Sequence, residues 1–367
     1  LNEEEEGAMI QTNFTREKWE EHERNWQAWW DHELDRPLVV METFRPTSRY
    51  EAFRKKYPEV YCPAHFPPGE PAEKVIDFYQ AEIESTRFLG DSWPRWWPNF
   101  GSGIIASFLG AELILRPDTV WFQPPEDLDF ANLEIAVREE NPWFKRIQSL
   151  TREAVRRWEN EVNVCFTDLG ENLDILLHLR TTENLLMDLY DEPELIKRHL
   201  GRLTEVWQRY YSRFYEVIAR GNCGTSGWTG LWSPAKHYIL QCDFCYMISP
   251  EMFEEFALPD IVACCEFLDH PFYHLDGTGQ ISKLEDLLAI EKLRGIQWIP
   301  GDGSGQPEDY LALLKRIRDA GKLCQVYVTP AGAMKIKEEL GGKGFAFQIV
   351  HDGMDETAAN ELISRLF

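Results

Sequence analysis

Pro271-Phe272-Tyr273-His274-Leu275-Asp276-Gly277 is an apolar run closed by a glycine, and it reads as a buried strand that ends in a turn. Its polar members, His274 and Asp276, stand two residues apart. In a strand that spacing puts both side chains on one face. An imidazole and a carboxylate so placed can hold a metal, exchange a proton, or simply bond each other.

Seven further stretches share its character: residues 38–41, 87–91, 162–168, 238–243, 295–299, 323–328 and 344–350. Helical segments lie between most of them. Three open on a capping residue followed by proline: Asn141-Pro142, Ser249-Pro250 and Thr329-Pro330. Eight short strands alternating with helices imply parallel pairing through right-handed crossovers, and the count points to an α/β fold of the (β/α)8 TIM-barrel type. Residues 36–367 form this barrel. Residues 1–35 form an N-terminal helical extension: an acidic opening, read as a solvated arm or a foreign remnant, then a helix over residues 15–33. Trp19, Trp26 and Trp30 make one stripe on that helix and face a core.

In such a barrel the chemistry gathers at the C-terminal ends of the strands. Those ends carry Glu42 and Arg45, Asp91, Asp168, Asp243, His274 and Asp276, Trp298 and Asp302, Tyr327 and Thr329, and His351 and Asp352. Together they describe an acidic pocket with two histidines. Trp93, Trp97 and Trp298 are candidates for its apolar walls, with Glu42, Arg45 and Tyr327 binding substrate. His274, Asp276 and His351 could supply three ligands to zinc or another divalent metal and leave a position open. Asp91, Asp243 and His274 are the candidate catalytic groups. Any single aspartate here can equally be a turn cap. The lone Cys242-x-x-Cys245 pair, without a second pair, is a weak zinc signal.

The whole chain of 367 residues carries 62 acidic and 38 basic side chains, a formal charge of −24. That balance argues against nucleic acid and anionic membranes as partners. Its eight cysteines do not make a disulfide framework. No apolar run approaches the ~20 residues of a membrane span and no secretory signal is present, so a cytoplasmic location is the expectation. A homodimer is compatible with these features.

Thr182-Glu183-Asn184-Leu185-Leu186-Met187-Asp188-Leu189-Tyr190-Asp191-Glu192-Pro193-Glu194-Leu195 resembles the helix pair of the uroporphyrinogen decarboxylase superfamily. Ile248-Ser249-Pro250-Glu251-Met252-Phe253-Glu254-Glu255-Phe256-Ala257-Leu258-Pro259, ahead of the His274 strand, resembles it too. The order of elements agrees from about residue 36 onward. The resemblance implies a (β/α)8 barrel and either of two activities. One is metal-free decarboxylation, in which Asp91 matches an essential aspartate. The other is zinc-dependent methyl transfer involving a corrinoid protein and a thiol acceptor. The decarboxylase motif carries paired arginines at the first strand; here Glu42 replaces the first of them, with Arg45 and Arg49 nearby. The methyltransferases hold zinc with a His-x-Cys pair and a later Cys. Here the pair is His274-Leu275-Asp276 and the later position falls near His351, so both thiolates are missing. Metal-dependent methyl transfer, linked to a corrinoid or a small methylated substrate, is the leading expectation. A decarboxylase or lyase, a non-catalytic binder of a flat ligand, and a glycosidase are the alternatives.

Overall fold

The computed structural model describes residues 10–367; the acidic opening lies outside the described residues. Strands fall in chain order as β1 (Leu38–Phe44), β2 (Thr86–Gly90), β3 (Arg95–Trp96), β4 (Glu112–Arg116), β5 (Thr119–Gln123), β6 (Asn163–Val164), β7 (Thr225–Ser226), β8 (Trp232–Ser233), β9 (His237–Gln241), β10 (His270–Asp276), β11 (Gly295–Ile299), β12 (Leu323–Val328) and β13 (Phe345–Ile349). Seven of them build the central sheet in the order β2-β1-β13-β12-β11-β10-β9. Every neighbouring pair in it is parallel except β1 with β2. The fold is thus α/β, with helices around a mostly parallel sheet.

The three Pro-led helices start as their sequences dictate. Asn141 accepts from the backbone N–H groups of Trp143 and Phe144, Ser249 from that of Met252, and Thr329 from that of Gly332. Each cap satisfies donors that a first helical turn leaves unpaired.

Two apolar layers sandwich the sheet, and strand periodicity divides residues between them. Val39, Met41, Leu240, Tyr273, Leu275, Val326 and Phe347 face the surrounding helices. Leu38, Val40, Ile239, Phe272, Leu323 and Ala346 face the other way, onto a cluster holding Trp19, Trp26, Trp29 and Trp30 of α1 (Arg16–Trp30). The α1 indoles also bond to the backbone around them. Trp29 Nε1 donates to Phe345 O at 3.1 Å and Trp30 Nε1 to Trp232 O at 2.8 Å. Much of the tryptophan content therefore closes the N-terminal end of the sheet.

Two strand expectations are corrected. Stretch 87–91 forms β2, but antiparallel to β1, with Val40 opposite Gly90 and Phe44 opposite Thr86. That reversal delivers Asp91 to the N-terminal ends of the parallel strands. There it takes Arg36 in two bonds of 2.7 and 2.8 Å, the Val39 N–H at 2.9 Å and Asn25 at 3.1 Å. Asp91 fixes the entry to β1 and stands away from His274. Stretch 162–168 yields only β6, which pairs in parallel with β3 outside the central sheet. Backbone bonds continue the line: Cys165 N–H to Trp96 O and Phe166 N–H to Ser226 O, each 2.9 Å.

Candidate metal centre

On the inner face, the strand positions above the tryptophan layer turn polar. Glu42, Gln241, His274, Gln297, Gln325 and Gln348 project from β1, β9, β10, β11, β12 and β13 on the parity of Leu38, Ile239, Phe272, Gly295, Leu323 and Ala346. The register sets His274 beside both Gln241 and Gln297, and Gln297 beside Gln325. Gln241, Gln297 and Gln325 are buried, and buried amides must find partners.

Gln241 Nε2 donates to Ser102 Oγ at 3.2 Å, and the other two bond each other. Gln325 Nε2 donates to Thr229 O at 2.8 Å, Gln297 Nε2 donates to Gln325 Oε1 at 2.8 Å, and His274 Nδ1 lies 2.5 Å from Gln297 Oε1. A backbone carbonyl only accepts, so it fixes the sense of the whole chain. Gln325 must donate to Thr229, which turns its oxygen to Gln297. Gln297 must then donate, which turns its own oxygen to His274. Nδ1 therefore carries a proton, and Nε2 points to the other side, where it offers its lone pair whenever the ring is neutral. Trp228 packs its ring edge-on against the imidazole, with centroids 4.9 Å apart.

Nε2 faces two carboxylates: Asp243 Oδ1 and Asp276 Oδ2 each lie 4.0 Å away. One ligand atom from each of Asp243, His274 and Asp276 lies within 4.8 Å of the others. Asp276 reaches this place because it follows His274 by two on β10. Asp243 reaches it through a short helical turn, Asp243–Met247, just after β9. The buried Asp174 carboxylate braces that turn, accepting the Asp243 and Phe244 N–H groups at 2.8 Å each. Glu171 accepts the Gln241 N–H at 3.2 Å.

The carboxylates here are crowded. Desolvation lifts the pKa of Asp243; His274 pulls it back and Asp276 adds to the rise. Half of the Asp243 side chain is open to solvent, and water screens part of that rise. Burial lifts Asp174 further, with Asp243 as the next cause. Burial also raises Asp168 to about 7. Two carboxylates facing one imidazole lone pair suit a hard or borderline divalent cation.

Neither a protein-family model nor a curated protein matches the chain. The site therefore has to be read from its own geometry.

Of the residues singled out from sequence, Asp243, His274 and Asp276 come together. His351 does not join them. Its Nδ1 accepts the Met354 N–H at 3.2 Å, and its Nε2 donates to Glu42 O at 2.8 Å. Both nitrogens are used, and β13 lies three strands from β10. Glu42, Arg45 and Tyr327 line a separate pocket of about 730 Å³ beside His351. Trp97 lines a smaller one of about 310 Å³, also reached by Glu42. Trp93 is buried in the α1 cluster. Trp298 points outward into the helix-facing core, its ring against Tyr310 at 5.1 Å. Neither lines a pocket with the triad: Trp93 follows the chain to the N-terminal end, and Trp298 has the wrong parity on β11. A concavity of about 1250 Å³ lies beside α1, and none of Asp243, His274 and Asp276 lines it. Cys242 and Cys245 are buried and free, with no metal-like grouping among the described residues.

The sequence reading missed the glutamines, Asp174, Arg95 and Trp228. A readable signal existed for the first: one glutamine interrupts each of four otherwise apolar strands, at Gln241, Gln297, Gln325 and Gln348.

Proposed function

We propose that this chain is a metal-dependent enzyme of the (β/α)8 class, with Asp243, His274 and Asp276 holding one divalent cation at the C-terminal ends of the strands. The observation that carries the reading is the relay ending at His274. It spends Nδ1 on Gln297 and leaves Nε2 facing two carboxylates. Closure of the sheet into a barrel through β3, β6 and β7 is part of this proposal, supported by the parallel β3–β6 pair and the Phe166–Ser226 backbone bond.

A cation held there would supply Lewis acidity, lowering the pKa of a bound hydroxyl or water. The protein's own groups do the rest. Gln297 and Gln325 hold the imidazole in one tautomer and orientation. Asp174 fixes the backbone that presents Asp243. Trp228 shields one side of the imidazole from water. The donor set is oxygen-rich and lacks thiolate, so it favours an oxygen nucleophile over a thiol. Methyl transfer to or from such an oxygen, with a corrinoid protein as a methyl carrier, is the reaction we assign. Metal-free decarboxylation is the weaker reading, because the carboxylate it would use, Asp91, is bonded to Arg36 at the other end of the sheet.

The test is a titration of chelator-treated protein with Zn²⁺, Mn²⁺ and Co²⁺. One site per chain is expected, and His274→Ala and Asp276→Asn should each abolish it while circular dichroism stays unchanged. Failure of all three ions to bind the folded wild type would remove the proposal.

A further inference from the structure

The 730 Å³ pocket beside β1, β12 and β13 has a chemistry of its own. Arg95 Nη1 lies 2.8 Å from Glu42 Oε1, and both side chains are mostly covered. The Arg95 guanidinium also sits 4.9 Å over the Trp93 ring. Gly230 brings its loop close: a Cβ there would lie 3.2 Å from both Arg95 Nη2 and Gln348 Oε1, and its φ of +69° favours glycine anyway. The planar ends of Glu42, Arg95 and Gln348 are thus gathered at one wall. Trp228 and Tyr327 add aromatic surface.

Two features define what would fit. First, the charges cancel: Arg45 and Arg95 against Glu42 and Asp355. A carboxylate or an ammonium ligand would gain no net attraction. Second, Gln348 Oε1, Thr229 Oγ1 and Trp228 Nε1 are buried without partners among the described residues. They are an acceptor, a group that does both, and a donor. Polar atoms so buried ordinarily have partners. A ligand that meets all three must both donate and accept without carrying charge, and the hydroxyl group does so.

We propose that this pocket binds a neutral polyhydroxylated molecule, a monosaccharide or a polyol. Paired hydroxyls meet the planar Arg95, Glu42 and Gln348 head groups, and ring or chain carbons lie against Trp228 and Tyr327. Trp228 is the shared wall, lining the pocket and touching His274. That places one end of such a ligand toward the triad; what happens to that end rests on the metal-dependent reading above, whereas binding itself does not.

Saturation-transfer NMR and calorimetry test this with neutral hexoses, pentoses and polyols. Glucuronate and glucosamine serve as charged counterparts. Each is measured on chelated and on Mn²⁺-loaded protein. At least one neutral member is expected to bind both forms, and more tightly than its charged counterparts. Gln348→Leu should weaken it about tenfold, the loss of one good hydrogen bond. Arg95→Met is the second variant, expected to weaken it at least as much. No binding by any neutral member, or tighter binding by glucuronate, overturns the proposal. Metal binding without sugar binding would sink this inference alone. Sugar binding without a metal site would sink the metal-dependent reading and leave this one standing.

Discussion

His274 owes its chemistry to two amides behind it. The path Thr229 O, Gln325, Gln297, His274 Nδ1 leaves only one tautomer. Outer partners of this kind typically change metal affinity 10- to 100-fold. Gln297→Leu should therefore weaken metal binding by roughly that factor, and Gln297→Glu, which still accepts from Nδ1–H, should restore most of it. Calorimetry measures the affinity. Nitrogen-15 shifts of the metal-free protein should show the Nδ1–H form lost in Gln297→Leu. The residue scale is also where the sequence said least. His274 and Asp276 were legible from their spacing on one strand. Asp243 was legible as a strand end. The tie between His274 and Gln297 depends on the register of β10 against β11, which no local pattern encodes. His351 was misplaced for a similar reason: position in the chain gives strand order but not which ring nitrogens the neighbouring backbone will occupy.

Asp168 offers a separate test. Burial raises its pKa from 3.8 to about 7. Between those values the native state keeps a proton that the unfolded chain has released. Stability therefore falls as pH rises through that window, and the cost is fully present above it. Asp168→Asn removes the ionisation and can still accept the Gly170 N–H that Asp168 Oδ1 holds at 3.0 Å. At pH 8 the variant should be more stable than wild type by about 4 kcal/mol, with nearly all of the difference gone near pH 4. Denaturant melts at the two pH values measure it. Equal stabilities at pH 8 would contradict the assignment.

Among the elements, α1 and β2 carry the clearest lessons. The Trp19, Trp26, Trp30 stripe was readable as a buried helix face, and it is one. Its target, the inner face of the sheet at the N-terminal strand ends, was not readable, because a periodic stripe names no partner. Trp30 is fully buried, stacks on His270 at 4.4 Å and bonds Trp232 O. Trp30→Ala should cost about 3–5 kcal/mol, seen as a lower denaturant midpoint. Strand β2 was legible as a strand but not in direction, since an apolar run reads alike both ways. The direction decides the role of Asp91. Asp91→Ala leaves Arg36 partly buried and unpaired and should cost about 3–5 kcal/mol, while metal affinity in the surviving folded protein stays as in wild type. A change in metal affinity matching that of Asp276→Asn would place Asp91 in the site after all.

Across the whole molecule, the alternation of strands and helices announced an α/β fold. The central sheet has seven strands: β9 to β13 parallel in sequence order, β1 parallel beside β13, and β2 reversed. The short β3 and β7 escape pattern reading because two-residue strands have no period, whereas β6 lies inside the expected strand 162–168. Barrel closure predicts that the amides of Cys165 and Phe166, bonded to Trp96 O and Ser226 O, exchange with solvent as slowly as those of β10. Fast, loop-like exchange there would mean an open sheet. No helix among the described residues is long and apolar enough to cross a membrane. The central claim remains the triad, and anomalous diffraction from crystals soaked in Mn²⁺ or Zn²⁺ addresses it most directly. The account predicts one strong peak about 2.0–2.2 Å from His274 Nε2 and from a carboxylate oxygen of both Asp243 and Asp276. A peak elsewhere, or none in crystals whose His274 Nε2 is open to solvent, would contradict it.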